Sequence, residues 1–154
     1  MNKNQLRLVL REPTVNQYNL LRQSVGWESI EKYRANLALK NSLLSICALY
    51  EDELIGIGRV VGDGALYFYV QDIIVSPKYQ NQGVGRKIME TIMSNINKMA
   101  KEGSGAFIGI MSDKELASLY EKFDFKFQSE DVLYMSVWRK VNSSPCRSNT
   151  LSRY

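Results

Sequence analysis

Between Ala65 and Met99 the sequence hands a long apolar strand to an amphipathic helix, through a short turn with one proline and two glycines. The strand reads ALYFYVQDIIV, with only Gln71 and Asp72 polar in its middle. Pro77 ends it, because proline cannot donate to a ladder. The helix starts near Gln82 and lines up Val84, Ile88, Ile92, Ile96 and Met99 on one face. Gly83 and Gly85 fall in its first turn, where backbone N–H groups have no partner inside the helix and the dipole is positive. Glycine removes the Cβ atoms that would hold a ligand away from the main chain. Arg86 and Lys87 add positive charge, so the turn suits a pyrophosphate; a bare helix start is the competing account. The Walker pattern is absent, and Ile88 stands where a dinucleotide fingerprint needs its third glycine.

The remaining elements are expected in a simple order. QLRLVL is a first strand. Thr14 caps a helix ending at Gly26, and Ser29 caps a second over residues 30–42, with Ile30, Tyr33 and Leu37 on its apolar face. Residues 43–61 read as a hairpin around Glu51, Asp52 and Glu53. After the glycine turn and its helix come a strand in SGAFIGIM and a short helix over 114–123 capped by Asp113. DFKFQ and VLYMSVWRK close as strands. Strand, helices, hairpin, strand, helix, strand, helix and two strands make a mixed α/β fold around one sheet. One domain is expected over residues 1–140, followed by a polar, disordered tail over 141–154.

Several function classes drop out. The net charge of +4 is scattered, without the basic stripe of a nucleic-acid binder. No apolar run approaches the roughly 20 residues of a membrane span, so a cytoplasmic protein is expected. Cys47 reads as a buried strand residue and Cys146 as exposed, and neither forms a pair suited to zinc or redox work. With no histidine in the chain, no metal site is expected, and acid–base work falls to carboxylates, tyrosine, lysine, cysteine or water.

The order Gln80-x-x-Gly83-x-Gly85 after a strand and a proline turn, in DIIVSPKYQNQGVGRKIM, resembles the hallmark of the GNAT superfamily of acetyl-CoA-dependent N-acetyltransferases. LYEKFDF resembles that family's second landmark, although Asp124 stands where its glycine is usual, and Asp113 where it often has asparagine. The likeness runs over about residues 5–140. It implies one mixed, mostly antiparallel sheet flanked by helices, with a splayed strand pair forming the cofactor cleft. It implies acetyl-CoA as co-substrate, its pyrophosphate held by the backbone of Gln82, Gly83, Val84, Gly85 and Arg86 beside Gln80. The pantetheine arm would pair with Ile73, Ile74 and Val75.

By the same resemblance Tyr120 is the acid for the leaving thiolate, while the stripe Leu116, Leu119, Tyr120 and Phe123 would equally make it a core residue. Asp72 is either the base for the amine or a structural partner of a neighbour such as Arg59. Strand alternation puts Tyr69, Gln71 and Ile73 on one side, and Val70, Asp72 and Ile74 on the other, unless a bulge intervenes. The acceptor site implied lies between the first two helices and the hairpin. Trp27, Glu28, Tyr33, Arg59, Asp63, Tyr67, Tyr69 and Gln71 are its candidates, for a cationic or aromatic small amine. A protein amine, or a silent acyl-CoA-binding module, remains open, and a homodimer through sheet edges is compatible with the family.

Overall fold

The computed structural model describes residues 5–100 and 105–127. Five strands form one sheet in the order β1-β2-β3-β4-β5. They are β1 (Leu6–Leu10), β2 (Leu44–Tyr50), β3 (Glu53–Gly62), β4 (Tyr67–Val75) and β5 (Phe107–Ile110). The first three pairings are antiparallel and the last is parallel. Helices α1 (Val15–Ser24) and α2 (Lys32–Lys40) lie on one face, and α3 (Val84–Met99) covers the other. This is the mixed, mostly antiparallel sheet expected. The closing strand over 132–140, the tail over 141–154 and Cys146 lie outside the described residues. Of the expected strand over 124–128, residues 124–127 carry no strand structure. No helix among the described residues is long and apolar enough to cross a membrane.

Local chemistry explains most boundaries. Thr14 caps α1 with a full capping box: its side chain accepts from the Gln17 N–H, and Gln17 returns the bond to the Thr14 N–H. The β2–β3 turn puts Glu51 and Asp52 at φ 48° and 66°, the two left-handed residues of a tight hairpin turn. Glu53 therefore already belongs to β3.

Three expectations change. Ser29 does not cap α2; the Glu31 carboxylate does, accepting from the Tyr33 and Arg34 N–H groups. A longer acceptor reaches two donors at once, and those bonds hold its carboxyl below the usual range. The buried face of α2 is Ala35 and Leu39, whereas Tyr33 and Leu37 point outward at 70% and 48% exposure. Small Ala35 lets the helix approach the sheet, so the stripe Ile30, Tyr33, Leu37 is not its inner face. Asp113 makes no capping bond, and the helix it was to start breaks into α4 (Ala117–Tyr120) between two 3-10 turns.

The core divides by face. Phe68, Val70, Val60 and Ile46 pack with Val84, Ile88, Ile92, Ile96 and Tyr120 on the α3 side. Tyr18, Leu21, Ala35, Leu39, Cys47, Ile57 and Ile74 form a second cluster under α1 and α2. At Gly58 the side chains of α3 crowd against the sheet. A Cβ there would sit 2.6 Å from Ile88 and 2.8 Å from both Ile73 and Ile92. Gly58→Val should cost about 1–3 kcal/mol by overpacking, read as a lower urea midpoint with unchanged slope.

The β3–β4 ladder carries an irregularity that reorders β4. Ile57 pairs with Ile74 and Arg59 with Gln71, so β4 holds one more residue than β3 between these rungs. Asp72 takes φ 53° there. Aspartate tolerates the left-handed region better than most residues. The bulge switches faces: Val70 and Ile73 both pack on the α3 side, while Ile74 joins the α1/α2 cluster. Asp72 and Gln71 lie together on the α1/α2 face, hydrogen-bonded at 3.2 Å. Plain alternation, which set Ile73 beside Gln71 and Asp72 beside Val70, fails here.

Candidate active site

The parallel ladder between β4 and β5 has four rungs, from Tyr67 with Phe107 to Val70 with Ile110. Strand β4 runs on to Val75, so among the described residues Gln71–Val75 have no partner on that side. This is the splay, and it opens the sheet where the bulge sits. Ile73, Ile74 and Val75 lie along the open length.

The chain then makes a 3-10 turn, Pro77–Tyr79, and enters α3. Gly83 is the N-cap, at φ 85°, a conformation glycine adopts without strain. No side chain caps this end and no acidic residue lies in its first turn. The first main-chain bond runs from Lys87 N–H to Gly83 O at 3.1 Å. Among the described residues, the N–H groups of Gln82, Gly83, Val84, Gly85 and Arg86 have no acceptor. Space in front of Gly83 is open: an added Cβ would meet nothing within 4 Å. A Cβ on Gly85 would touch Leu119 and Val75, each at 3.8 Å. Gly85 thus joins the end of β4, the glycine turn and α4.

Side chains brace the turn from behind. The Gln80 amide donates to Val75 O at 2.9 Å, and that of Gln82 to Lys78 O at 3.0 Å. The Arg86 guanidinium pairs with Glu90 at 2.9 Å, on the solvent side. An uncapped helix start with unpartnered N–H groups, no carboxylate and open space ahead fits a diphosphate.

Tyr120 ends α4 and is buried, its ring edge-on to Phe125 with centroids 6.2 Å apart. Burial, with the Asp113 charge adding to it, raises its phenol above the ordinary 10.0. The proton therefore stays on Tyr120 through neutral pH, as a donor requires.

The other polar group lies on the opposite face. The Asp72 side chain is 1% exposed. It accepts from Tyr18 OH at 2.6 Å and from Arg59 Nε at 2.8 Å, and Arg22 stands 3.7 Å away. Arg59 also reaches Ala38 O at 3.0 Å and Ser42 Oγ at 2.8 Å at the end of α2. The Arg22 guanidinium lies over the Trp27 ring at 5.1 Å and the Tyr18 ring at 5.5 Å. Burial and the hydrogen bond to Asp72 push the Tyr18 phenol up to about 12.

So Trp27, Arg59, Gln71 and Asp72 come together. The sequence reading missed Tyr18 and Arg22, one helical turn apart on α1; a buried carboxylate in β4 was the signal to look for donors there. Glu28 enters only through its carbonyl, which accepts from Arg22 Nε at 2.9 Å. Three candidates lie apart. Tyr33 is on the exposed side of α2. Tyr67 packs at a tilt against Phe107, centroids 6.1 Å apart. Asp63 is taken up by its own turn, accepting from the Ala65, Leu66 and Tyr67 N–H groups, which lower its carboxyl. Tyr69 is half-buried and packs against Gly109.

Known proteins share this fold. The signature of the acetyltransferase (GNAT) domain matches residues 20–136. An uncharacterized N-acetyltransferase of the ycf52-like type from Prochlorococcus marinus is 30% identical over 105 residues, 66% of this chain and 56% of that protein. The histone acetyltransferase TAP1 of Glycine max is 26% identical over 132 residues, covering 77% of this chain and 55% of that protein. This chain thus spans little more than half the length of those relatives. A probable acetyltransferase of unknown function from meticillin-resistant Staphylococcus aureus superposes with a TM-score of 0.79 at 32% identity, over 87% of this chain and 99% of that one. A GNAT family acetyltransferase from Streptococcus pneumoniae does so with 0.72 at 26% identity, over 90% and 99%. By its splayed sheet, its glycine turn and these matches, the chain belongs to the GNAT family of acetyltransferases.

Proposed function

We propose that this chain transfers an acetyl group from acetyl-CoA to the primary amine of a small molecule, by direct attack. The observation that carries the reading is the meeting of three segments at Gly85: the unpaired half of β4, the uncapped start of α3, and α4 with Tyr120. Acetyl-CoA, when bound, supplies an activated acyl thioester.

The chain's own groups do the rest. N–H groups from Gln82 to Arg86 take the diphosphate charge, with the helix dipole behind them. The open edge at Ile73, Ile74 and Val75 offers main-chain pairing to an extended arm, as a sixth strand would, apart from the Val75 carbonyl that Gln80 already occupies. Holding both reactants in one cleft supplies much of the acceleration. Tyr120, kept protonated, donates to the departing sulfur. Asp72 is enclosed by Tyr18, Arg59 and Gln71, so it serves by holding the bulge, and water carries off the amine proton.

A protein amine is the second reading, favoured by the likeness to the soybean histone acetyltransferase. A silent acyl-CoA-binding module is the third. For compartment we propose the cytoplasm.

The test is a thermal shift with acetyl-CoA, followed by free-thiol release over a panel of amines. Gly83→Val forces a branched residue into the left-handed region and fills the open space. It should weaken acetyl-CoA binding by about 10-fold or more while the protein stays folded. Unchanged affinity in that variant, or no shift for the parent protein, would remove the glycine turn from the proposal. A shift without thiol release from any small amine would move the assignment to a protein acceptor or to a binding module.

A further inference from the structure

The charge count around Asp72 does not balance. Two guanidinium groups, Arg22 and Arg59, share one carboxylate, and their side chains are only 17% and 8% exposed. Arg59 spends Nε on Asp72, and Nη1 on Ala38 O and Ser42 Oγ. Arg22 spends Nε on Glu28 O, and Nη1 on Tyr18 OH at 3.5 Å and on Asp72. Among the described residues the Nη2 group of each has no hydrogen-bond partner. Among the described residues the one fully buried side-chain polar atom without a partner is Ser45 Oγ, so neither Nη2 group is completely enclosed.

Among the described residues this largely buried cluster thus carries one uncompensated positive charge and two Nη2 groups without a protein partner. It lies on the α1/α2 face at the bulge, where the sheet opens toward the cofactor side. Trp27, 42% exposed, lies over one face of the Arg22 guanidinium. Uncompensated charge at such a place is unfavourable until an anion arrives. Each Nη2 group still carries N–H donors, so the pair can give charge-assisted hydrogen bonds to the oxygens of one carboxylate.

We infer that the acceptor is an amine that also carries a carboxylate, bound by Arg22 and Arg59, rather than a purely cationic amine. The inference rests on the acceptor reading above and deepens it. A simple cationic amine would meet like charge here, opposite to the expectation from aromatic residues alone.

The experiment uses the full chain with acetyl-CoA and a set of L-amino acids, each supplied as the free acid and as its α-carboxamide. Thiol release is followed, and binding of L-phenylalanine and L-phenylalaninamide is measured separately by calorimetry. The free acids should show kcat/KM at least about 10-fold above their amides, the usual scale for one charge-assisted hydrogen bond in a shielded site. Arg22→Gln should bring that ratio to about one, and Arg22→Lys should restore part of it. If Arg22→Gln does not fold, competition by acetate against acetamide on the parent protein reads the same preference. Equal or faster turnover of the amides overturns the inference. If nothing is turned over but the free acid alone binds, the anion site stands and the transfer reading fails. If neither acid nor amide is turned over or bound, the anion site is overturned.

Discussion

Asp72→Ala is expected to destabilise the protein by about 3–5 kcal/mol, the scale for removing one partner of a buried ion pair. The deletion leaves Arg59 in a nearly closed space without its 2.8 Å partner and takes the acceptor from Tyr18. Alanine must also hold φ 53°, which aspartate tolerates better. The double variant Asp72→Ala, Arg59→Met should recover part of the loss, since the uncompensated charge goes with the arginine. Urea unfolding of the parent, both single variants and the double variant reads the coupling. A single-variant loss below about 1 kcal/mol would mean that the carboxylate is not the centre of this cluster. The cluster also sets an alkaline limit. The Tyr18 phenol is raised from 10.0 to about 12 in the fold, so its contribution is complete below pH 10 and is lost as pH rises toward 12. Stability of the parent should fall across that window, and that of Tyr18→Phe should fall less.

Tyr120→Phe is expected to lower kcat by about 100-fold or more, the usual range for losing a positioned acid, with little change in acetyl-CoA affinity. Phenylalanine keeps the ring, and so the packing on Phe125 and on the α3 cluster. A thermal shift with acetyl-CoA and steady-state thiol release separate the two effects. Equal kcat in the variant would return Tyr120 to a purely packing role. Because the phenol is raised above 10.0, the parent rate should not fall from Tyr120 ionisation at neutral or mildly alkaline pH.

Much of this architecture is legible from residue patterns, for identifiable reasons. The glycine turn announces itself because Gly83 must adopt a left-handed φ and Pro77 must end a strand. The inner face of α3 shows as Val84, Ile88, Ile92 and Ile96, since a helix against a sheet repeats its apolar residues by turns. The bulge is not legible. Nothing in YVQDIIV says that Asp72 is an extra residue, because its cause is the register of a partner strand. For the same reason the facing of Ile73 and Ile74 was inverted. The inner face of α2 was also hidden, as Ala35 is a weaker signal than Tyr33 although it is fully buried. Tyr18 and Arg22 needed the distance between α1 and β4, which only the folded chain supplies.

One surplus residue in β4 has a wider effect. Upstream of it the strand lends Phe68 and Val70 to one interior; downstream Ile73 and Val75 keep to that interior while Ile74 joins the other. A single ribbon thereby serves two separately packed compartments. Substitutions on the α1/α2 side can accumulate without disturbing the packing that supports the glycine turn.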